Sequence, residues 1–236
     1  MTATARDTSR PTALVTGGTR GIGLAIARDL GRDHHVLIGG RDPEAAARVA
    51  AELPDAGVFV ADLADEESTR QAAAGIDRLD VLVHSAGISN LAIVEDASRE
   101  DWRTIMELNV IAVADLTRDL LPALRAAGGQ VIMINSGSGL MAGRGGAMYS
   151  ASKFALTALT DSLREQVRGE VRVASIHPGR VDTDMQREIQ HQRGNTGYRG
   201  DEYLRPESVA AAVRAAVDAS PDAMIESVSI RPVYTG

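Results

Sequence analysis

The sequence contains no cysteine among its 236 residues. A chain without cysteine has neither a disulfide framework nor a thiol nucleophile. Structural zinc sites usually depend on cysteine thiolates and are disfavoured for the same reason. We therefore predict no metal site.

Long apolar runs are also missing. The longest aliphatic runs, such as residues 131–134, are far shorter than the ~20 residues that span a bilayer. Residues 1–10 lack the apolar stretch of a signal peptide and are expected to form a flexible tail. We expect a soluble, cytoplasmic protein with no membrane partner.

Clustered positive charge is absent as well. The net charge is −7, and the arginines are spread along the chain instead of being run together. A general nucleic-acid binder needs clustered basic residues for its phosphate contacts, so no nucleic-acid partner is predicted.

Lysine occurs once, as Lys153, while the other 24 basic residues are arginine. It lies four residues after Tyr149, a spacing that places both side chains on one face of a helix. A nearby ammonium favours the phenolate form, which a tyrosine needs in order to act as a general acid/base near neutral pH. The pair is therefore a candidate catalytic unit, against the alternative of a chance pair on a solvated helix.

Short β-branched runs alternate with longer segments of helical periodicity, which predicts a parallel sheet of seven strands with helices on both faces. The predicted strands are residues 12–16, 36–39, 58–60, 81–84, 131–135, 171–177 and 225–230. The predicted helices are residues 21–32, 43–52, 66–75, 100–127, 149–168 and 206–219.

A glycine-rich turn, Thr16-Gly-Gly-Thr-Arg-Gly-Ile-Gly23, joins the first strand to the first helix. Glycines at 17, 21 and 23 allow a tight turn and a close approach to a pyrophosphate at the helix N-terminus. Alone, the turn is equally consistent with an ordinary strand-to-helix connection.

Together, the ordered motifs resemble the short-chain dehydrogenase/reductase family. They are the glycine turn, Ser85-Ala86-Gly87, Asn109, Ser136, Tyr149-x-x-x-Lys153 and Pro178-Gly179. The resemblance implies one Rossmann-type domain over residues 11–236, strand order 3-2-1-4-5-6-7, and a substrate lid near 184–205. It also implies a nicotinamide cofactor and a small-molecule carbonyl or alcohol substrate.

The resemblance implies cofactor contacts along the whole chain. These are Gly17, Thr19, Arg20, Gly21, Ile22, Gly23, Arg41, Asp62, Leu63, Ser85, Ala86, Gly87, Tyr149, Lys153, Pro178, Gly179, Val181 and Thr183. Arg20 and Arg41 resemble the family's basic positions for the extra phosphate of NADP(H), the cofactor we predict. Asp42 competes as a ribose-binding acid of the NAD type, but Pro43 and Glu44 after it favour a helix cap. For Asp62, an ordinary turn acid is the alternative.

The implied catalytic residues are Asn109, Ser136, Tyr149 and Lys153. Ser136 would hold a carbonyl oxygen, Lys153 would lower the tyrosine pKa and bind the cofactor ribose, and Asn109 would mark a helix kink with a water relay. By residue type alone, Ser138 is an equal candidate to Ser136. The family commonly has asparagine where this chain has His84 and Ser85, which leaves the bracing of the central strands open.

Two surfaces carry further expectations. In the helix after Tyr149, a small or apolar stripe at 151, 154, 155, 158, 159, 162 and 163 is predicted to pack, leaving the catalytic pair on another face. The family suggests a homodimer or homotetramer through helices near 110–127 and 150–168. In the lid, Arg187, His191, Arg193 and Arg199 either attract an anionic substrate or are simply solvated.

Three functions remain open. The preferred one is an NADP(H)-dependent carbonyl reductase or alcohol dehydrogenase. A catalytically silent nucleotide-binding sensor or scaffold is the second, although it has no need of serine, tyrosine and lysine in register. A sugar-nucleotide epimerase or dehydratase is the third, but 236 residues leave little room for its longer substrate domain.

Overall fold

The computed structural model describes residues 9–143, 146–192 and 194–233. Most of the tail predicted at residues 1–10, and Arg193 of the lid, lie outside the described residues. Arg10 donates from its guanidinium to the Gly31 carbonyl at 3.3 Å, so the chain is held against the domain from about this position onward.

Seven parallel strands form one sheet in the order β3-β2-β1-β4-β5-β6-β7, which confirms the predicted topology. Each predicted strand is present, with ends that differ by three residues at most. Their bounds are β1 Thr12–Val15, β2 His35–Gly40, β3 Ala56–Val60, β4 Val81–His84, β5 Gln130–Ile134, β6 Arg172–Pro178 and β7 Ser227–Ile230.

Eight α-helices are described. They are α1 Gly21–Leu30, α2 Pro43–Ala51, α3 Glu66–Ala73, α4 Arg99–Met106, α5 Ala112–Ala127, α6 Ala147–Gln166, α7 Asp184–Gln192 and α8 Pro206–Val217. The single helix predicted at 100–127 is divided by a π-helical turn, Glu107–Ile111, between α4 and α5. Helix α7 was not among the predicted helices and occupies the segment expected to be a lid.

The sheet is covered on both faces, as predicted. One core packs α1, α2 and α8 against the strands, and includes Ile26, Val49 and Val213. The second core packs α3, α5 and α6 against the opposite face, and includes Leu120 and Leu163. Because every residue of β5 is buried, the predicted catalytic segment that follows it begins on a rigid support.

The buried face of α6 is not the predicted one. Lys153, Leu156 and Thr160 are buried, whereas Phe154 in the predicted apolar stripe is 44% exposed. The stripe prediction was therefore wrong: the catalytic face of α6 is also its packing face. The face of α6 that carries Tyr149 and Lys153 packs against the carboxyl ends of the strands, so the small residues on its opposite face stay at the surface.

Candidate active site

The glycine turn lies at the carboxyl end of β1. Gly17 has φ +63° and Gly21 has φ +55°, a left-handed conformation that favours glycine. A Cβ on Gly23 would lie 2.2 Å from the Gly17 carbonyl oxygen, so no side chain fits there. This close packing leaves the N-terminus of α1 open to an anion.

A cavity of about 790 Å³ opens in front of this turn. It is lined by the predicted cofactor residues Gly17, Thr19, Arg20, Gly21, Ile22, Gly23, Arg41, Asp62, Leu63, Ser85, Ala86, Gly87 and Thr183. Its volume and glycine-lined floor fit a dinucleotide. Five other predicted cofactor residues do not line it, namely Tyr149, Lys153, Pro178, Gly179 and Val181.

His84 and Ser85, which stand where the family commonly has asparagine, both take part in hydrogen bonds next to the central strands. Thr16 Oγ1 accepts hydrogen bonds from the Ser85 and Ala86 amides at 3.0 and 3.1 Å. On the other face, His84 Nε2 contacts Thr117 Oγ1 at 2.9 Å. Burial lowers the pKa of His84 to about 3, so this histidine is neutral and structural.

The two arginines and the aspartate near the end of β2, which are the alternative candidates for recognising the cofactor, have different partners. Arg20 and Arg41 are exposed, line the cavity, and have no carboxylate partner within the described residues. Asp42 accepts hydrogen bonds from the Glu44 and Ala45 amides at 2.9 and 3.1 Å, and therefore caps α2. Two cations at the mouth of the cavity suit a 2′-phosphate.

Asp62 follows β3 and lies at a position consistent with both of its predicted roles. Its carboxylate accepts a hydrogen bond from the Ala64 amide at 3.1 Å, as a turn acid does. It also lines the cavity beside Leu63, where an adenine-contacting residue is expected.

Helix α4 and the π-helical turn after it supply lining residues that sequence reasoning missed: Glu100, Arg103, Thr104, Glu107 and Leu108. Their spacing of three and four residues places them on one helical face, directly before Asn109. That periodicity, counted back from Asn109, was the signal that could have identified them.

Asn109 lies within the π-helical turn and is buried. Its side-chain amide donates to the Ile88 carbonyl at 2.9 Å and to Ser152 Oγ at 3.0 Å, and its oxygen accepts from the Ile88 amide at 2.9 Å. The predicted irregularity in the helix is present as this turn, a feature often found at functional sites. Asn109 thereby joins the loop after β4 to helix α6.

Ser136 and Tyr149 meet at the carboxyl end of β5. Ser136 caps a short 3₁₀ turn, and its Oγ accepts a hydrogen bond from the Ser138 amide at 3.1 Å. Burial raises the pKa of Tyr149, while its side-chain hydrogen bond with Ser136 lowers that pKa in part. Ser136, and not Ser138, is the serine that acts on the pKa of Tyr149, which favours Ser136 as the candidate catalytic serine.

Lys153 lies beneath this pair and is only 6% exposed. Its ammonium donates to the Ile134 carbonyl at 3.1 Å and lies 5.8 Å from the centre of the Tyr149 ring. Burial lowers the pKa of Lys153 to about 8. The expected lowering of the tyrosine pKa by this lysine is not found, because burial dominates the titration of both groups.

The chain after β6 reaches towards both ends of the site. Gly179 donates its amide to the Ile230 carbonyl at 2.7 Å, which fixes the turn after Pro178. The Thr183 side chain packs against the glycine turn, 3.5 Å from the position of a Cβ on Gly21. Val181 is buried in a bridge to Leu204, so its side chain serves the fold.

Two hydrogen bonds close the base of the lid segment, 184–205. The Asp182 amide donates to the Leu204 carbonyl at 2.8 Å, and the Tyr198 hydroxyl donates to Asp182 Oδ1 at 2.7 Å. Asp184 and Met185 at the start of α7 line the cavity. The segment predicted to be a lid thus begins with a helix, and the first two residues of this helix border the cavity.

Two of the lid arginines are paired with acids. Arg187 lies 2.9 Å from Asp182, and Arg199 lies 3.1 Å from Glu202. Their charge is largely compensated by these neighbouring acids. The prediction that these arginines attract an anionic substrate therefore loses its basis.

Within the described ranges, no group of three histidine, aspartate or glutamate side chains could hold a metal ion. Across the same residues, no helix is long and apolar enough to cross a membrane.

Comparison with known proteins gives concordant matches. The family model described as short chain dehydrogenase matches residues 11–194. The sequence is 38% identical, over 75% of both chains, to the rhamnolipids biosynthesis 3-oxoacyl-[acyl-carrier-protein] reductase of Pseudomonas aeruginosa.

Solved structures match over almost the whole chain. An alcohol dehydrogenase from the archaeon Thermococcus sibiricus, complexed with 5-hydroxy-NADP, has a TM-score of 0.87 at 27% identity, covering 96% of this chain and 98% of its own. The Pseudomonas aeruginosa RhlG/NADP complex has a TM-score of 0.85 at 32% identity, covering 99% of both chains.

Proposed function

The chain belongs to the short-chain dehydrogenase family, and on that premise we propose that it is an NADP(H)-dependent oxidoreductase acting on a carbonyl or secondary alcohol. The observation that carries this proposal is the meeting of Tyr149 and Ser136 above the buried Lys153. The family and the fold support a nicotinamide-dependent oxidoreductase; the choice of NADP(H) and of substrate class is our proposal.

The cavity residues fit the phosphate-bearing part of this cofactor. The glycine turn offers backbone amides and a helix N-terminus to a pyrophosphate. Arg20 and Arg41 have no carboxylate partner in the described part of the chain, and Asp42 is engaged as a helix cap. NADPH, when bound, would supply the hydride; two similar solved structures are named as NADP or NADP-analogue complexes.

The catalytic side chains would bind the substrate oxygen and supply its proton. Ser136 Oγ would donate a hydrogen bond to the substrate oxygen, and the Tyr149 hydroxyl would deliver the proton that the reduced oxygen needs. Because the pKa of Tyr149 is raised, its phenol stays protonated at neutral pH and is ready to act as an acid. Lys153, with a pKa of about 8, is mostly charged at pH 7 and can attract the cofactor ribose hydroxyls.

The test is turnover of NADPH with a panel of ketones and aldehydes, followed by cofactor absorbance. We expect Tyr149→Phe to lower kcat by roughly a thousandfold, because it removes the acidic hydroxyl, while NADPH binding is retained. Robust turnover by this variant would refute the mechanism. Higher catalytic efficiency with NADH than with NADPH would refute the cofactor assignment alone.

We further propose a homo-oligomer formed through α5 and α6. The wrongly assigned stripe on α6 leaves Phe154 exposed, and Ile111 before α5 is 47% exposed. Small neighbours such as Ala151 and Ala158 would let the helices of two subunits approach closely. Light scattering that showed only monomer at micromolar concentration would contradict this proposal.

A further inference from the structure

A cationic side chain that the motifs do not include, Arg231, lies beside the catalytic serine. It follows β7, whose last residue, Ile230, pairs with Pro178 at the end of β6. Because parallel strands present their carboxyl ends at one edge of the sheet, Arg231 is at the edge that carries Ser136.

Two glycines make room for this side chain. A Cβ on Gly137, the residue after Ser136, would lie 3.0 Å from Arg231 Nη2 and 3.3 Å from its Cζ. A Cβ on Gly179 would lie 3.0 Å from Arg231 Cδ. The stem of Arg231 therefore passes over one glycine, and its guanidinium faces the other without an intervening side chain.

One nitrogen of the guanidinium is fixed by the backbone. Arg231 Nη1 donates to the His177 carbonyl at 2.5 Å and to the Ile230 carbonyl at 2.9 Å. Nε and Nη2 have no partner in the described part of the chain, and Arg231 forms no ion pair there. The N–H bonds of Nε and Nη2 are parallel, which is the geometry that binds a carboxylate through two hydrogen bonds.

No carboxylate among residues 9–143, 146–192 and 194–233 forms an ion pair with this guanidinium. His177, whose carbonyl it binds, contacts the Ser136 carbonyl through Nδ1 at 3.1 Å. Burial lowers the pKa of His177; the positive charges of Arg231 and Lys153 lower this pKa further, and the carboxylate of Asp161 opposes them. Arg187 and Arg199 contrast with Arg231, since each of them forms an ion pair with a neighbouring acid.

We propose that Arg231 binds a carboxylate of the substrate, so that the enzyme acts on oxo acids and the corresponding hydroxy acids. This inference rests on the proposed function and narrows its substrate class. A carbonyl held at Ser136 and Tyr149 would leave the acid group of the same small molecule within the reach of the free edge of the guanidinium.

The test compares two carbonyl substrates that differ in charge, acetoacetate and methyl acetoacetate, with a second pair, 2-oxobutyrate and its methyl ester. The wild-type enzyme with NADPH is expected to prefer the acid in at least one pair. In Arg231→Met, the acid-to-ester ratio of kcat/KM should fall roughly 10- to 100-fold, the effect of losing a charge-assisted pair of hydrogen bonds. Arg231→Lys should retain part of the preference.

Arg48→Met, on the exposed surface of α2, is the matched control and should leave the ratio unchanged. If Arg231 only braced the end of β6, both members of a pair would lose activity equally, and the inference would be overturned. It would also be overturned if the wild type reduced the esters but showed no preference for either acid. Absence of turnover with every carbonyl compound would instead refute the proposed function, and this inference with it.

Discussion

The proposed phosphate-binding region and the proposed catalytic region both lie at the carboxyl ends of the strands, but they depend on different kinds of groups. The phosphate-binding region, residues 16–23 with Arg41, uses backbone geometry and exposed cations. The catalytic region, Ser136, Tyr149 and Lys153, uses side chains whose titration is changed by burial. The glycine turn functions only if no side chain occupies the space next to its backbone. The catalytic side chains keep their altered pKa values only if water is excluded from them.

This difference decides how each region responds to substitution. A new Cβ in the glycine turn collides with backbone that cannot move, so its cost is steric. A change at Lys153 alters a buried charge, so its effects on activity and on stability have opposite signs.

Among the substitutions that compare the two regions, Lys153→Arg should give the largest effect, a loss of kcat of about a hundredfold or more. The variant preserves positive charge, but a planar guanidinium cannot occupy the compact position that donates to the Ile134 carbonyl. Steady-state kinetics with NADPH would measure this loss. Activity within about threefold of the wild type would mean that only charge matters at this position.

Lys153→Met separates stability from activity at the same position. Because burial lowers the folded-state pKa of Lys153 to about 8, both states carry the charge below pH 8 and the folded state is destabilised there. We expect Met, by removing this charge, to raise the free energy of unfolding by about 2 kcal/mol at pH 7 while activity is lost. Urea unfolding would measure the change, and a decrease in stability would contradict the burial argument.

Gly23→Ala tests the steric character of the phosphate-binding region. Its Cβ would meet the Gly17 carbonyl at 2.2 Å, so the turn must shift. We expect NADPH affinity to fall by about tenfold or more and stability by about 1–3 kcal/mol. Gly75→Ala is the matched control, because no atom lies within 4 Å of its Cβ position. Equal behaviour of the two variants would remove the distinction between the regions.

The parts of the molecule that could be predicted are those encoded by contiguous residues. Alternating runs predicted all seven strands, and the proline and acid after Asp42 predicted a cap that the structure contains. The glycine turn was equally readable, since its backbone conformation is a property of the glycines themselves.

The parts that could not be predicted depend on tertiary packing. Contacts with the sheet decide which face of α6 is buried, so the apolar stripe in the sequence predicted the wrong face. Burial, which no local pattern reports, determines the pKa of Tyr149 and of Lys153. Arg231 was missed because its neighbours Gly137 and Gly179 are distant in sequence.

His84→Asn should change the acid limb of the stability curve. Burial lowers the folded-state pKa of His84 to about 3, below the ordinary value of 6.5, so between these values only the unfolded state binds the proton. Stability is therefore lost as the pH falls through this window, by about 2 kcal/mol between pH 7 and pH 5. The variant should lack this contribution in urea unfolding at both pH values.

His191→Asn, on the surface of α7, serves as the control for that experiment and should retain the pH dependence. A wild-type slope that survived in His84→Asn would show that another group dominates acid unfolding.

Asp42→Ala should give the smallest effect and separates a structural acid from a recognition acid within the phosphate-binding region. Its carboxylate accepts hydrogen bonds from two amides at the start of α2, so its loss should cost about 1 kcal/mol of stability. In Asp42→Ala, the ratio of kcat/KM for NADPH over NADH should stay within about twofold of the wild-type ratio. Arg41→Ala should lower the ratio by about tenfold, because the exposed guanidinium of Arg41 has no carboxylate partner within the described chain and is available to a 2′-phosphate. If Asp42→Ala instead reduced the efficiency with NADH alone, the aspartate would bind a ribose hydroxyl, and recognition in this region would rest on an acid as well as on its cations.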